Sequence, residues 1–233
     1  MTKSWNNSDV VLLTSATKTV ANYTKNHANL WTDAANSAIY TWGGEASYGL
    51  NVTAPQLWRF TDTAPGTPGA GRWALAQPTN PGLFSTLTGT FSGAAVSARG
   101  VGFLLGGIST PWTQPGRADS GAVPGLVTYD MAAQAWGNDT ADVGAFPALA
   151  GAAAHYAPTF GDNGLVFVLG GSTSTIVGDP GTVLTYYDLR NLTFFDPKTK
   201  RRYSQMATGD FPPAPRVKFC TAGFEGPKGS YEL

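Results

Sequence analysis

The stretch GLVFVLGGSTS, residues 164–174, places a run of apolar residues directly before a Gly-Gly pair and a small polar segment. A Gly-Gly pair also follows two earlier apolar runs, SAIYTW and GVGFLL. The three pairs, Gly43–Gly44, Gly106–Gly107 and Gly170–Gly171, begin 63 and 64 residues apart. A regular interval of this length indicates a structural unit that is repeated along the chain.

Each unit contains four segments with the pattern of short β-strands. The first is rich in small residues, as in 92–98 and 151–157, and the second is the apolar run before the glycines. The third segments are 56–60, 126–130 and 192–196. The fourth opens at an aromatic residue, and these residues are Trp73, Trp136 and Tyr203. Because no segment has the i, i+3, i+4 spacing of a helix, the sequence predicts an all-β chain.

The second segments are apolar on both sides, which indicates a strand that is covered on both faces. Blades of a β-propeller provide such cover, because each blade lies between two neighbours. The glycines then have a physical role at the strand end. Glycine adopts positive φ without strain and has no Cβ to collide with an adjoining blade. The aromatic residue of the fourth segment is expected to supply contact surface between blades.

This order of motifs resembles the kelch repeat, in which a glycine pair, an aromatic-Asp pair and a further aromatic residue follow one another. The first repeat is the least regular, since Thr61 stands where Asp is expected. The C-terminal stretch 201–233, RRYSQMATGDFPPAPRVKFCTAGFEGPKGSYEL, is similar more narrowly to fungal secreted kelch proteins. The resemblance implies a kelch-type β-propeller and leaves the activity open, because kelch propellers serve many functions.

The repeats predict a single partial propeller domain over residues 1–233. Complete blades are expected at about 28–77, 91–137 and 151–205, with 1–27 and 206–233 as parts of flanking blades. Since propellers close with four to eight blades, the sequence predicts an incomplete ring. Three explanations stay open: a shortened chain, pairing with another half, or closure of a small irregular ring. An open blade face would favour self-association.

Charge and composition exclude several classes of partner. The 15 basic and 15 acidic residues cancel, so no long-range field attracts nucleic acid. No apolar run is long enough for a membrane-spanning helix. A single cysteine, Cys220, and two histidines exclude an internal disulfide and a zinc cluster.

Several Asn-X-Ser/Thr triplets suggest a secreted or cell-surface parent protein, although the N-terminus has no secretory signal pattern. These glycosylation candidates are Asn22, Asn51, Asn138 and Asn191, with a further triplet at Asn6. The localisation therefore stays open.

The sequence offers no catalytic, cofactor or metal constellation. Copper-radical galactose oxidases, which share the kelch scaffold, need two histidines and a tyrosine cross-linked to cysteine. Here His27 and His155 fall in different repeats, with His27 expected to be exposed and His155 expected to be a packing or hydrogen-bonding residue. Cys220 is expected to be a small buried hydrophobic residue. Glu45, after the first glycine pair, is interpreted as a solvated loop residue. We therefore expect no enzyme activity and no cofactor.

Binding is the leading functional hypothesis. The connections 108–124 and 172–183 are rich in Pro, Gly and Ser, and the first carries Trp112 and Arg117 as possible ligand contacts. The sequence thus favours a non-catalytic interaction module that uses its inter-strand loops to bind an unknown protein or glycan. One alternative is an accessory role in a fungal secondary-metabolite pathway. Another is a degenerate copper enzyme of the galactose-oxidase type.

Overall fold

The structure, a computed structural model, describes residues 25–64, 70–139, 149–173, 185–210, 214–227 and 230–233. The predicted flanking strand before residue 25 and most of the connection 172–183 lie outside these ranges. The described part is 43% strand with almost no helix, and its sheets are antiparallel, so the all-β prediction is confirmed. Helix contributes little to these ranges: a 3-10 turn at Ala34–Asn36, a short α1 at Pro81–Thr86, and Pro227 in 3-10 conformation.

The first ten strands are β1 (Lys25–Asn26), β2 (Asn29–Asp33), β3 (Ala38–Trp42), β4 (Glu45–Ala46), β5 (Trp58–Asp62), β6 (Gly71–Leu75), β7 (Ala94–Ala98), β8 (Val101–Leu105), β9 (Ile108–Ser109) and β10 (Gly121–Ala122). The next ten strands are β11 (Leu126–Asp130), β12 (Ala135–Asn138), β13 (Ala153–Ala157), β14 (Leu165–Leu169), β15 (Ser172–Thr173), β16 (Thr185–Tyr186), β17 (Asn191–Phe195), β18 (Arg202–Met206), β19 (Phe224–Glu225) and β20 (Tyr231–Glu232).

Three four-stranded antiparallel sheets have the same connectivity. The first sheet has the order β2-β3-β5-β6, the second β7-β8-β11-β12 and the third β13-β14-β17-β18. Four further sheets have two short strands each, namely β1-β4, β9-β10, β15-β16 and β19-β20. The first strands of neighbouring sheets lie side by side. The described residues show blade-like sheets without a closed ring, and the propeller and its blade limits stay predictions.

An aromatic core joins the first and second sheets. Trp31 is fully buried and packs against Tyr129 and Trp136, with ring centroids 6.4 and 5.8 Å away. Its indole Nε1 donates to the backbone oxygen of Phe103 at 3.0 Å. A Cβ at Gly102 would lie 2.5 Å from Cδ2 of Trp31, so the second sheet has room for this ring only because residue 102 is glycine. The indole therefore both fills the interface and fixes the position of the neighbouring strand.

The second and third sheets meet through a smaller apolar core. Phe103 packs on Phe195 with a centroid distance of 5.5 Å, and Leu105, Val166 and Val168 belong to the same buried cluster. The other side of β8 carries Leu104, which is buried against the first sheet. Strand β8 is thus covered on both faces, as its apolar sequence predicts.

The glycine pairs form the backbone contact between successive units. The amide of the second glycine donates to a carbonyl in the segment that opens the next unit: Gly44 to Thr90 at 2.9 Å, Gly107 to Leu149 at 2.7 Å and Gly171 to Arg216 at 2.8 Å. All six glycines of the pairs have positive φ. The apolar strand ends at Gly-Gly because its backbone turns there to bond the next unit.

The first glycine of each pair is required for a steric reason. A Cβ at Gly43, Gly106 or Gly170 would lie 2.5, 2.3 or 2.6 Å from that same carbonyl oxygen. These distances are shorter than any van der Waals contact, so a side chain would force the two backbones apart. The pair therefore combines an absent Cβ with a donated hydrogen bond.

The turns that end the third strands are held by aspartate side chains. Asp130 accepts from the amides of Ala132 and Ala133 at 2.9 and 2.8 Å, and Asp196 accepts from the next turn in the same way. In the first sheet Asp62 takes this role, accepting from the amide of Ala64 at 2.9 Å. Strand β5 ends at Asp62, two residues beyond the predicted end at residue 60. Asp62 thus takes the role of the aspartate that the kelch pattern expects at position 61, where this chain has Thr61.

The aromatic residues of the fourth strands do not all occupy one position. Trp136 pairs with Tyr129 and is buried against the first sheet. In the third sheet Arg202, and not Tyr203, pairs with Phe195 at the corresponding position. Tyr203 pairs with Phe194 on the opposite face, where it stacks at 5.6 Å and stays 40% exposed. Side chains alternate along a strand, so an offset of one residue moves the ring to the other face.

Helix α1 was not expected from the sequence. It begins at Pro81, whose fixed φ suits the first turn of a helix. The preceding Asn80 bridges to the second sheet: its Nδ2 donates to the oxygen of Trp136 at 2.8 Å, and its Oδ1 accepts from the Trp136 amide at 2.9 Å. Phe84 then stacks on the Trp136 ring at 5.3 Å. The helix covers the outer side of the aromatic core.

We predict that Gly106→Ala lowers the free energy of unfolding by roughly 3 kcal/mol or more, through steric overlap with Leu149 added to the cost of positive φ. Gly100→Ala is the matched control, because Gly100 has φ +77° and no atom lies within 4 Å of the point where its Cβ would stand. The control substitution should lower the free energy of unfolding by only about 1 kcal/mol. Urea denaturation of the three proteins measures both values, and equal losses would contradict the proposed backbone contact.

Candidate functional site

One end of the three sheets carries the longest connections. Pairing of Asn29 with Trp42 and of Thr41 with Trp58 places the start of the first strand, the end of the second and the start of the third at the same end. The connections that follow the glycine pairs therefore share one surface, together with the segments that lead into the first strands. We call this surface the loop face.

Trp112 lies on the loop face and is 45% exposed. Its backbone is fixed from two sides, because its carbonyl accepts from the amide of Ala46 at 2.8 Å and its own amide donates to Oγ1 of Thr110 at 3.1 Å. The adjoining Thr113 is buried and hydrogen-bonds to Thr110. Tyr48 extends from the neighbouring connection and is 96% exposed. The loop face thus presents large aromatic side chains on an ordered backbone.

Arg117 lies five residues further along the same connection. Its Nε donates to the backbone oxygen of Asp119 at 2.9 Å. This bond uses one of the five N–H donors of the guanidinium group. The proposed roles of Trp112 and Arg117 as ligand contacts stay predictions.

A cavity of about 640 Å³ opens between the starts of the first strands. Its wall includes His27, Ser92, Gly151 and Lys218, one from the start of each successive unit. All four have left-handed backbone, with φ between 53° and 67°. Of these four residues, only Gly151 is of a type that favours left-handed backbone. The sequence motifs therefore do not indicate the turns that form this cavity.

Cys220 also lines this cavity and is exposed. The expectation of a buried hydrophobic cysteine is therefore wrong. The segment that contains it packs against the third sheet through backbone bonds, in which the amide of Lys218 donates to the oxygen of Gly151 at 2.7 Å. That arrangement leaves the cysteine side chain on the open wall.

His27 and Glu45 form a pair at the edge of the cavity. His27 Nδ1 lies 3.1 Å from Oε1 of Glu45, and the two side chains are 60% and 25% exposed. Glu45 is therefore paired and largely covered, and not a fully solvated loop residue. Lys25 pairs with Ala46 across β1 and β4, and its ammonium is buried without a hydrogen-bond partner among the described residues. Burial lowers the pKa of Lys25.

His155 occupies a separate environment in the third sheet. Its Nε2 hydrogen-bonds to the hydroxyl of Tyr231 at 2.7 Å, which ties strand β13 to the C-terminal hairpin β19-β20. The expectation of a packing or hydrogen-bonding histidine is confirmed. Burial lowers the pKa of His155. The two histidines thus have different partners, and within the described ranges no three His, Cys, Asp or Glu residues cluster as metal ligands.

Three of the predicted glycosylation sites are accessible. Asn51, Asn138 and Asn191 are exposed, whereas Asn22 and Asn6 lie outside the described residues. Their use as attachment sites stays a prediction. Over the part of the chain that the structure covers, no helix has the length and apolar character needed to cross a bilayer.

Comparison with known proteins supports the fold and no activity. No family model matches the chain, and no curated protein matches it. A solved structure described as that of YjhT is similar, with a TM-score of 0.52 and 13% sequence identity. The likeness covers 83% of this chain and 54% of that chain, so this chain spans about half of the other's length. At this identity the likeness concerns architecture alone.

The His155 environment predicts a pH dependence of stability. Because the folded-state pKa is lowered, the unfolded chain takes up the proton first as the pH falls below the ordinary histidine value of about 6.5. This histidine therefore contributes a loss of stability between about pH 7 and pH 5. His155→Gln should remove that contribution and flatten the wild-type profile measured by urea denaturation.

Tyr231→Phe serves as the companion variant, because it keeps the histidine and removes its partner hydroxyl. It should cost about 1 kcal/mol at neutral pH, the usual contribution of one hydrogen bond. Identical pH profiles for the wild type and His155→Gln would contradict the account.

Proposed function

We propose that the chain is a non-catalytic binding module, built as an incomplete kelch-type β-propeller, whose loop face contacts a protein or glycan ligand. Support for the architecture comes from the three sheets of equal connectivity and the glycine pairs between them. The single observation that carries the function is the exposed Trp112 ring held on a hydrogen-bonded turn.

Binding at an exposed aromatic ring depends on the free energy gained by burying the ring and on the entropy lost by ordering it. A half-exposed indole loses apolar contact with water when it binds, and its rigid backbone reduces the entropy lost on binding. Trp and Arg are enriched among the residues that dominate binding energy at interfaces. Trp112 and Arg117 on one connection fit that pattern, with Tyr48 adding a second exposed ring.

The nearby cavity adds a concave element to the surface. Its volume of about 640 Å³ is in the range of small-molecule sites. Lys218 and His27 provide polar groups at its wall, and Glu45 pairs with His27 at 3.1 Å. A sugar residue or a peptide side chain is small enough to occupy a cavity of this volume.

We predict that Trp112→Ala weakens ligand binding about ten-fold or more, the loss typical of an aromatic contact residue. The matched control is Tyr203→Ala, which removes a ring of 40% exposure from the third sheet, away from the loop face. Binding of labelled wild type and both variants to a glycan array and to an array of secreted proteins measures the effect. Thermal unfolding establishes that each variant is folded.

The control should bind as the wild type does. Equal binding by Trp112→Ala would contradict the role of the loop face. A wild-type chain that binds neither array would contradict the binding function itself.

A further inference from the structure

The outer half of the first sheet carries two arginines on the face that is turned towards the second sheet. Tyr40 pairs with Arg59 across β3 and β5, and Arg59 pairs with Ala74 on β6. Thr61, two residues after Arg59 on β5, pairs with Arg72, which lies two residues before Ala74 on β6. Arg59 and Arg72 are therefore diagonal neighbours on one face, at a separation within reach of long side chains.

A second cavity lies in front of these arginines. It has a volume of about 210 Å³ and is lined by Tyr40, Arg59, Thr61, Arg72, Gln77 and Gln134, among others. Gln134 belongs to the turn between β11 and β12, so the cavity spans the contact between the first and second sheets. It is separate from the loop-face cavity, with which it shares no lining residue.

Neither arginine has an anionic partner within the described ranges, and the Nε of Arg59 is buried without a hydrogen bond. Asp33 lies on the same face of the first sheet, but its carboxylate accepts from the amide of Asn36 and from Asn36 Nδ2, at 3.2 and 2.8 Å. An unpaired buried donor and two adjacent like charges are both unfavourable. An anion between the guanidinium groups would relieve both.

The surrounding side chains supply further donors. The Arg59 guanidinium lies 5.6 Å from the Tyr40 ring centroid, which limits its orientations. Burial raises the pKa of Tyr40, so its hydroxyl keeps its proton and can donate. Thr61 and Gln134 add a hydroxyl and an amide. All of these groups can donate to an oxygen acceptor.

We propose that Arg59 and Arg72 form a binding site for a small tetrahedral oxyanion, the phosphate or sulfate group of a ligand. Planar guanidinium groups bind such oxyanions through paired hydrogen bonds, which makes arginine preferable to lysine in this role. Since both sheets contribute lining residues, an anion bound here would also join the first sheet to the second. The site is independent of the proposed function of the loop face.

The test uses the full chain with inorganic phosphate, inorganic sulfate and chloride at equal ionic strength. Phosphate and sulfate should raise the melting temperature in a saturable manner, whereas chloride should not. Titration followed by the phosphorus NMR linewidth of inorganic phosphate gives the affinity. Arg72→Gln should weaken it about ten-fold, the effect of losing one charge-assisted contact. Arg72 is exposed, so this substitution leaves the core intact.

Arg99→Gln is the control, since Arg99 is an exposed arginine in the turn between β7 and β8 and does not line the cavity. It should bind phosphate as the wild type does. Arg59→Gln should abolish binding; if that variant does not fold, Arg72→Gln decides the question. Equal affinity of Arg72→Gln and wild type, or equal stabilisation by chloride, would overturn the proposal. O-phosphoserine and galactose 6-sulfate, titrated in parallel, distinguish a phosphorylated from a sulfated source.

Discussion

The close approach of two backbones at each glycine pair is the contact on which the rest of the structure depends. The carbonyl of Thr90, Leu149 or Arg216 occupies the space where a Cβ would stand, and it accepts a hydrogen bond from the second glycine. This contact sets the spacing between successive sheets at their shared end. The side chains between the sheets must then fit that spacing, which explains why Trp31 faces a glycine at position 102. A side chain at the first glycine of a pair, or at position 102, would push the two sheets apart along their whole interface. The close packing of the interior therefore depends on this backbone contact.

The same contact shapes the candidate binding surface. Two residues after each accepting carbonyl, the chain turns through a left-handed residue, namely Ser92, Gly151 or Lys218, and these residues line the larger cavity. The hydrogen bond from Ala46 to Trp112 joins the connection of the first unit to that of the second. The groups proposed to bind ligand are therefore positioned by the bonds that hold the units together. A change in sheet packing would alter the cavity and the orientation of Trp112 at once.

Sequence reasoning predicted the features that depend on local constraints. The β class, the succession of four strands in each unit and the steric role of the glycine pairs follow from apolar pattern, backbone conformation and interval. It did not predict the exposure of Cys220, the pairing of His27 with Glu45 or the cavity between Arg59 and Arg72. Those features depend on tertiary contacts between segments that are distant in sequence. Neither the types of the residues nor their spacing indicates which segments are in contact. Helix α1 was missed for the related reason that its stability comes from Phe84 packing on Trp136, because six residues are too few for an independent helix.

Native-state hydrogen exchange at the second glycines, Gly44, Gly107 and Gly171, tests the central claim most directly. The account predicts that these three amides exchange slowly, like those of the central strands, because each is bonded to the next unit. Gly116, in the exposed connection that follows Trp112, provides the reference for an open turn with positive φ. Exchange on the order of a thousandfold slower than at Gly116 would agree with the account. Exchange at the same rate as Gly116 would show that the units are not joined through their glycine pairs.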